Sequence, residues 1–102
     1  MPHLRNREKK ITNSTFNTYM KKAAKRNLVF ELERSHFDEL LGSPCYLCGV
    51  RSAGGVDRTD NTVGYTVENA MPCCKTCNFL KGTLPLCDVL TRVDEIVFHH
   101  GV

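Results

Sequence analysis

"GVDRTDNTVGYTVENAMPCCKTCN", residues 55–78, places one Asp-Arg pair, three asparagines and three cysteines within two dozen positions. Its Cys74-x-x-Cys77 has a counterpart upstream, Cys45-x-x-Cys48 followed by Gly49, with 25 residues between the two pairs. Each pair can aim two thiolates at one ion, and two such knuckles complete a tetrahedron around Zn²⁺. Glycine after Cys48 suits the tight turn, because it adopts left-handed angles at little cost. A lone pair of this kind leaves redox-active or merely buried cysteines open as readings; two at this spacing point to zinc. Cys73 competes with Cys74, but Cys73-x-x-x-Cys77 makes a looser knuckle. Cys87 stands beside a later apolar stripe and reads as a small core hydrophobe. A closed four-thiolate site leaves no position for water, so the zinc is structural and performs no chemistry.

The chain has 102 residues, the size of one domain. A chain this short buries a modest core, so a structural metal contributes substantially to its stability. No segment approaches the roughly 20 apolar residues of a membrane span, and the polar, basic N-terminus lacks an apolar signal region. These features lead us to expect an intracellular protein without membrane contact, in a compartment where cysteines bind metals rather than pair as disulfides. The net charge of +3 is unevenly spread. Residues 1–27 carry eight Lys/Arg against Glu8 alone, or +7, whereas residues 28–102 carry six against ten acidic residues, or −4. A basic arm on an acidic body fits a polyanionic partner as well as it fits a solvated helix face.

The organisation follows from periodicity. Residues 1–12 read as irregular. Ser14 is placed to cap a helix with Phe16, Tyr19, Met20, Ala23 and Ala24 inward and Lys25, Arg26 and Asn27 at its end. "LVFEL" (28–32) reads as a short strand. Ser35 with Asp38 resembles a capping box opening a helix with Phe37, Leu40 and Leu41 inward and Gly42 as its stop. Turn residues bracket two short strands, around Val56 and around Tyr65–Val67. A helix is expected from Lys75 to Lys81, stopped by Gly82. Leu86, Val89, Leu90, Val93, Ile96 and Val97 predict a final helix packed on the core. The expectation is an α+β fold in a single domain: a basic helical arm (1–27), a zinc-bound core (43–83) and a C-terminal helix (84–102).

Hard divalent cations such as Mg²⁺ take oxygen ligands and keep several waters. Asp57 offers a carboxylate and Asn78 an amide oxygen, and Asn78 directly follows the ligand Cys77. Asn69 can orient a base or bridge the loop. Each has a duller reading alone: Asp57 and Asn61 make turns, Asn69 closes a hairpin and Asn78 decorates a helix.

Together, "CYLCG", "GVDRTDN", "GYTVENAMPCC" and "CKTCNFLKG" resemble the zinc-containing, four-cysteine branch of the HNH endonucleases, the ββα-metal or His-Me finger nucleases common in phages, large DNA viruses and mobile elements. The resemblance spans roughly residues 43–83. It implies a ββα-metal core and cleavage of DNA, double-stranded by preference, assisted by Mg²⁺ or Mn²⁺. By position, Asp57 matches the metal-binding Asp, Asn69 the central Asn, and Asn78 the last metal-binding His or Asn. Arg58 falls where the family has its first His, the general base. Arginine stays protonated and cannot take that proton, but it can grip a phosphate and offset developing negative charge. His3, His36, His99 and His100, all outside the match, are the spare imidazoles, and Asp60, within it, is a closer alternative base by sequence.

The catalytic candidates are therefore Asp57, Arg58, Asn69 and Asn78. Candidate nucleic-acid contacts are Arg58, Lys75, Lys81, Lys21, Lys22, Lys25 and Arg26. A zinc module with this fold that binds nucleic acid without cutting it is the alternative, favoured by the missing histidine. A protein-interaction component would leave the basic arm unexplained.

Overall fold

The computed structural model describes residues 13–101. The expected irregular segment 1–12, with His3 and the basic residues Arg5, Arg7, Lys9 and Lys10, lies outside the described residues, as does the side chain of Ser14. The elements run α1 (Asn13–Lys25), α2 (Arg34–Gly42), β1 (Val56–Arg58), β2 (Ala70–Pro72), α3 (Lys75–Lys81) and α4 (Leu86–His100). No helix among them is long and apolar enough to cross a membrane.

Helix α1 turns Phe16, Tyr19 and Ala23 inward, whereas Met20 and Ala24 are exposed, a narrower stripe than the spacing predicts. It ends in a Schellman arrangement: Leu28 N–H donates to Ala23 O and Asn27 N–H to Ala24 O, with Asn27 at φ 58°. Helix α2 buries Phe37, Leu40 and Leu41. Its expected capping box does not form, because the helix starts two residues earlier, with Glu33 rather than Ser35 at the cap and no side-chain cap bond. Asp38 instead pairs with Arg34 one turn back, at 2.9 Å.

β1 and β2 pair antiparallel, Val56 with Pro72, Asp57 with Met71 and Arg58 with Ala70. Thr59 N–H to Asn69 O and Cys73 N–H to Gly55 O, both 2.9 Å, extend the ladder at each end. The second strand is thus Ala70–Pro72 and not Tyr65–Val67. Residues 67–69 form a turn, and Tyr65 makes a single parallel bridge with Phe30. That bridge is all that forms of the strand expected over 28–32. It survives because Gly64 lets the backbones touch: a Cβ there would stand 2.5 Å from Val29 O.

The core gathers Leu32, Phe37, Leu40, Leu41, Val56 and Ala70, ringed by Phe16, Tyr19, Phe30 and Tyr65. Edge-to-face contacts of Phe37 with Phe16 and Tyr19, at 5.2 and 5.1 Å, fasten α1 to α2. Helix α3 starts on Cys74, whose sulfur accepts from Cys77 N–H, and stops at Gly82 with φ 58°. Helix α4 departs from expectation most. None of its residues is buried, so its apolar stripe does not pack on this core, and Cys87 is exposed rather than a core residue.

Gly64→Ala is expected to cost roughly 1–3 kcal/mol, as overpacked sites do, and to lower the denaturation midpoint. Gly42→Ala, whose Cβ meets nothing within 4 Å, serves as the control and leaves the midpoint nearly unchanged. Equal midpoints in urea unfolding of the two variants would contradict the close approach at Gly64.

Candidate active site

The two knuckles converge. The sulfurs of Cys45, Cys48, Cys74 and Cys77 all lie within 4.8 Å of one another, close enough to share one metal ion. The Cys48–Cys74 separation of 3.8 Å is that of two corners of a tetrahedron with sulfur at about 2.3 Å from its centre. Burial raises the Cys45 thiol, but N–H groups of Cys48, Cys74 and Leu47 outweigh it and bring the pKa down to about 6. Burial and the neighbouring sulfurs push Cys77 up. A cation at the centre relieves that crowding of negative charge. Cys73 is fully buried beside the cluster, pushed up to about 12 by burial and then by Cys45 and Asp57. Neither it nor Cys87 joins the four.

The first knuckle reaches the hairpin through Tyr46. Its N–H donates to Pro72 O at 2.8 Å, and its phenol donates to Asp57 Oδ2 at 2.6 Å. Burial first, and the Asp57 carboxylate second, push the Tyr46 pKa up, which keeps it a protonated donor and excludes it as a base. Lys81 completes the arrangement. It is fully buried, with Nζ 3.2 Å from the same Asp57 oxygen and 3.5 Å from Arg58 O. Lys81 is therefore turned inward as the counter-ion of Asp57, a correction to its expected place on a nucleic-acid face. Both side-chain partners of Asp57 meet Oδ2.

Asp57, Arg58 and Asn78 line one open cavity of about 300 Å³. Asn78 sits in α3 one residue after Cys77, and its Nδ2 donates to Val56 O at 3.4 Å, leaving its amide oxygen as the acceptor. Lys22 of α1 and Arg26, the residue just past its end, line the same cavity. They are brought there by Tyr19, whose phenol oxygen accepts from Val56 N–H at 3.1 Å and anchors the helix to β1. Lys22 lies three residues beyond Tyr19 on its face of the helix, and Arg26 follows in the turn that ends it.

Arg58 is largely committed. Its Nη1 donates to Asn61 O at 2.8 Å and Val63 O at 3.0 Å, and the guanidinium lies 5.5 Å over the Tyr65 ring. Asn69 is more so. Its Oδ1 accepts from Thr59 Oγ1 and Asp60 N–H, and its Nδ2 donates to the carbonyls of Asp60, Val63 and Gly64. Buried and off the cavity wall, Asn69 bridges the loop between the strands rather than facing the pocket.

The remaining candidates scatter. Lys21, Lys25 and Lys75 are exposed but do not line the cavity. Asp60 is outside it too; its carboxylate accepts from Thr62 N–H and Oγ1, bonds that hold its pKa low. His36, His99 and His100 lie on α2 and α4, away from the cavity. Tyr46 escapes sequence reasoning as a functional residue. The available signal is its position inside a metal knuckle, next to a ligand.

No protein-family model matches the chain. A curated relative, "Uncharacterized protein R423" of Acanthamoeba polyphaga mimivirus, is 40% identical over 91 residues, 85% of this chain. The chain spans only 17% of that relative's length. Among solved structures it is similar to the rare-cutting HNH restriction endonuclease PacI, with a TM-score of 0.66 and 20% identity over 97% of this chain and 89% of that one. The chain thus has an HNH-like fold: a two-stranded antiparallel sheet, a following helix and a cysteine cluster suited to zinc.

Proposed function

We propose that this protein is an endonuclease that hydrolyses phosphodiester bonds of double-stranded DNA, with Zn²⁺ in the four-cysteine cluster and a catalytic divalent ion at Asp57 and Asn78. One observation carries the reading. A single cavity collects a buried carboxylate, an amide oxygen and the cations Arg58, Lys22 and Arg26. A carboxylate with neutral oxygen partners suits Mg²⁺ or Mn²⁺, which use few protein ligands and keep waters and substrate phosphates. Bound there, such an ion would supply Lewis acidity and a more acidic water.

The chain's own residues divide the remaining work. Tyr46 and Lys81 hold Oδ2 of Asp57, so that Oδ1 is the oxygen left for the ion. Lys22 and Arg26 attract and seat the DNA backbone, and Arg58 offsets charge at the scissile phosphate with the donors not used on the loop. Lys21, Lys25 and Lys75 extend the contact outward. The fold similarity to a DNA-cutting enzyme supports this partner and reaction. A second reading, a DNA-binding zinc module that does not cut, draws on a specific observation: no imidazole among the described residues lines the cavity, and Nη1 of Arg58 is spent on loop carbonyls.

Elemental analysis is expected to find one zinc per chain. Cys87→Ser keeps it, whereas Cys74→Ser loses it and unfolds the central region, because structural zinc contributes on the order of 10 kcal/mol to folding in small peptides. Zinc retained by Cys74→Ser would refute the ligand set.

Asn78→Ala should lower plasmid cleavage by about 10²–10³-fold, as loss of a single electrostatic stabiliser does, with zinc content and DNA affinity unchanged. Asp57 needs a paired variant, since Asp57→Asn alone strands the buried Lys81 ammonium, at roughly 3–5 kcal/mol. Asp57→Asn with Lys81→Met is expected to fold, hold zinc, bind DNA and not cut. Full activity in either protein would sink the assignment of the divalent site.

Lys22→Ala with Arg26→Ala should weaken DNA binding and flatten its salt dependence, by roughly 0.9 in logarithmic slope for each phosphate that is no longer neutralised. An unchanged slope in salt titrations would show these cations to be solvated surface.

A further inference from the structure

Lys81 is fully buried in the last turn of α3, whereas a lysine near a helix end ordinarily reaches water. Its Nζ stands 3.2 Å from Oδ2 of Asp57, an oxygen that also accepts from the Tyr46 phenol at 2.6 Å, and 3.5 Å from Arg58 O. Asp57 is the one acidic residue lining the cavity, and Lys22, Arg26 and Arg58 line it too. Four cations thus attend a single carboxylate. Asp60 lies off the wall, with its carboxylate engaged by Thr62. We propose that Lys81 makes divalent-ion binding conditional on DNA: the protein alone holds the ion weakly, and a substrate phosphate completes the site. This regulation presupposes the divalent site proposed at Asp57 and Asn78.

Charge decides the order of assembly. Mg²⁺ and Mn²⁺ take hard oxygen ligands, and the charge of those ligands tunes affinity. Of the two side chains available, Asn78 is neutral and Asp57 is already neutralised by an ammonium in contact with it. Lys81 cannot step aside for the ion, since its side chain is enclosed, with Asp57 and the Arg58 carbonyl as its polar contacts. Parting a buried ammonium from its carboxylate would leave both charges desolvated and unpaired. Lys22 and Arg26, by contrast, attract phosphate before any ion is present. A phosphate seated beside Asp57 then restores the negative charge that Lys81 cancels. The order is DNA first and ion second, so the cavity does not hold a hydrolytic ion while DNA is absent. Linkage is reciprocal, but the gain in DNA affinity is only about twofold when the ion is at its dissociation constant for the complex.

Mn²⁺ titration of the zinc-loaded full chain, read by the paramagnetic resonance of the free ion, tests this with and without saturating duplex DNA. Ions condensed on the DNA itself are subtracted with the same duplex bound to Asn78→Ala. DNA should raise the Mn²⁺ affinity of the wild type by roughly 10–100-fold, inside the range of coupled sites. Lys81→Met and Lys81→Gln, checked for zinc content and circular dichroism, should bind Mn²⁺ without DNA about tenfold more tightly than the wild type, because a unit charge in contact with the ligand is gone. Lys81→Gln keeps a polar neighbour for Oδ2 and guards against misfolding of Lys81→Met; the wild-type titrations need neither variant. Equal wild-type affinity with and without DNA would overturn the proposal and leave the divalent site standing. A folded Lys81 variant with no gain would do the same. No Mn²⁺ uptake even with DNA would remove the divalent site itself, and this proposal with it.

Discussion

Everything at the cavity is referred to the meeting of four sulfurs. The knuckle at Cys45–Cys48 and the start of α3 are 26 residues apart at their nearest ligands, Cys48 and Cys74, and a small cluster built on Cys45, Ala53 and Cys73 joins them. Drawing those sulfurs together fixes Tyr46 on one side and Asn78 on the other. Asp57 lies between, on a strand three residues long that could not hold its own register in water. The cluster thus substitutes for the large core that a chain of this length cannot build. Its loss would release the oxygen set as well as the fold.

The second constraint is electrostatic. A carboxylate as buried as Asp57 needs compensation, and Lys81 supplies it from the last turn of α3. The pairing leaves the cavity with Lys22, Arg26 and Arg58 as its cations, suited to phosphate rather than to an apolar ligand. In the proposed reaction a divalent ion at Asp57 would enter beside a lysine, which would favour substrate phosphates as its co-ligands. Arg58, buried against Tyr65 and tied to two carbonyls, serves the loop as much as the pocket.

Much of this is legible in the residues. The two Cys-x-x-Cys pairs, the Asp57–Asn78 relation and helix α3 with its Gly82 stop depend on short-range signals: ligand spacing, a cap and a left-handed glycine. Propensity puts the second strand on Tyr65–Val67, the more β-prone run, whereas pairing is decided by Cys73 lying opposite Gly55, beside the knuckle. "LVFEL" reads as a strand for the same reason, but only Phe30 finds a partner. The apolar stripe of α4 is plain, but periodicity states that a helix has a face, not what meets it. The inward turn of Lys81 is hidden too, since a lysine near a helix end ordinarily points to water.

The central claim is that the cavity cuts DNA with an ion distinct from the structural one. It is tested most directly on the wild-type chain loaded with zinc and freed of other metals, incubated with supercoiled plasmid. The account predicts no cleavage by that protein alone and cleavage on addition of Mg²⁺ or Mn²⁺, with zinc content constant across both. Cleavage without added divalent ion, or none at any concentration of either while DNA is still bound, would contradict it.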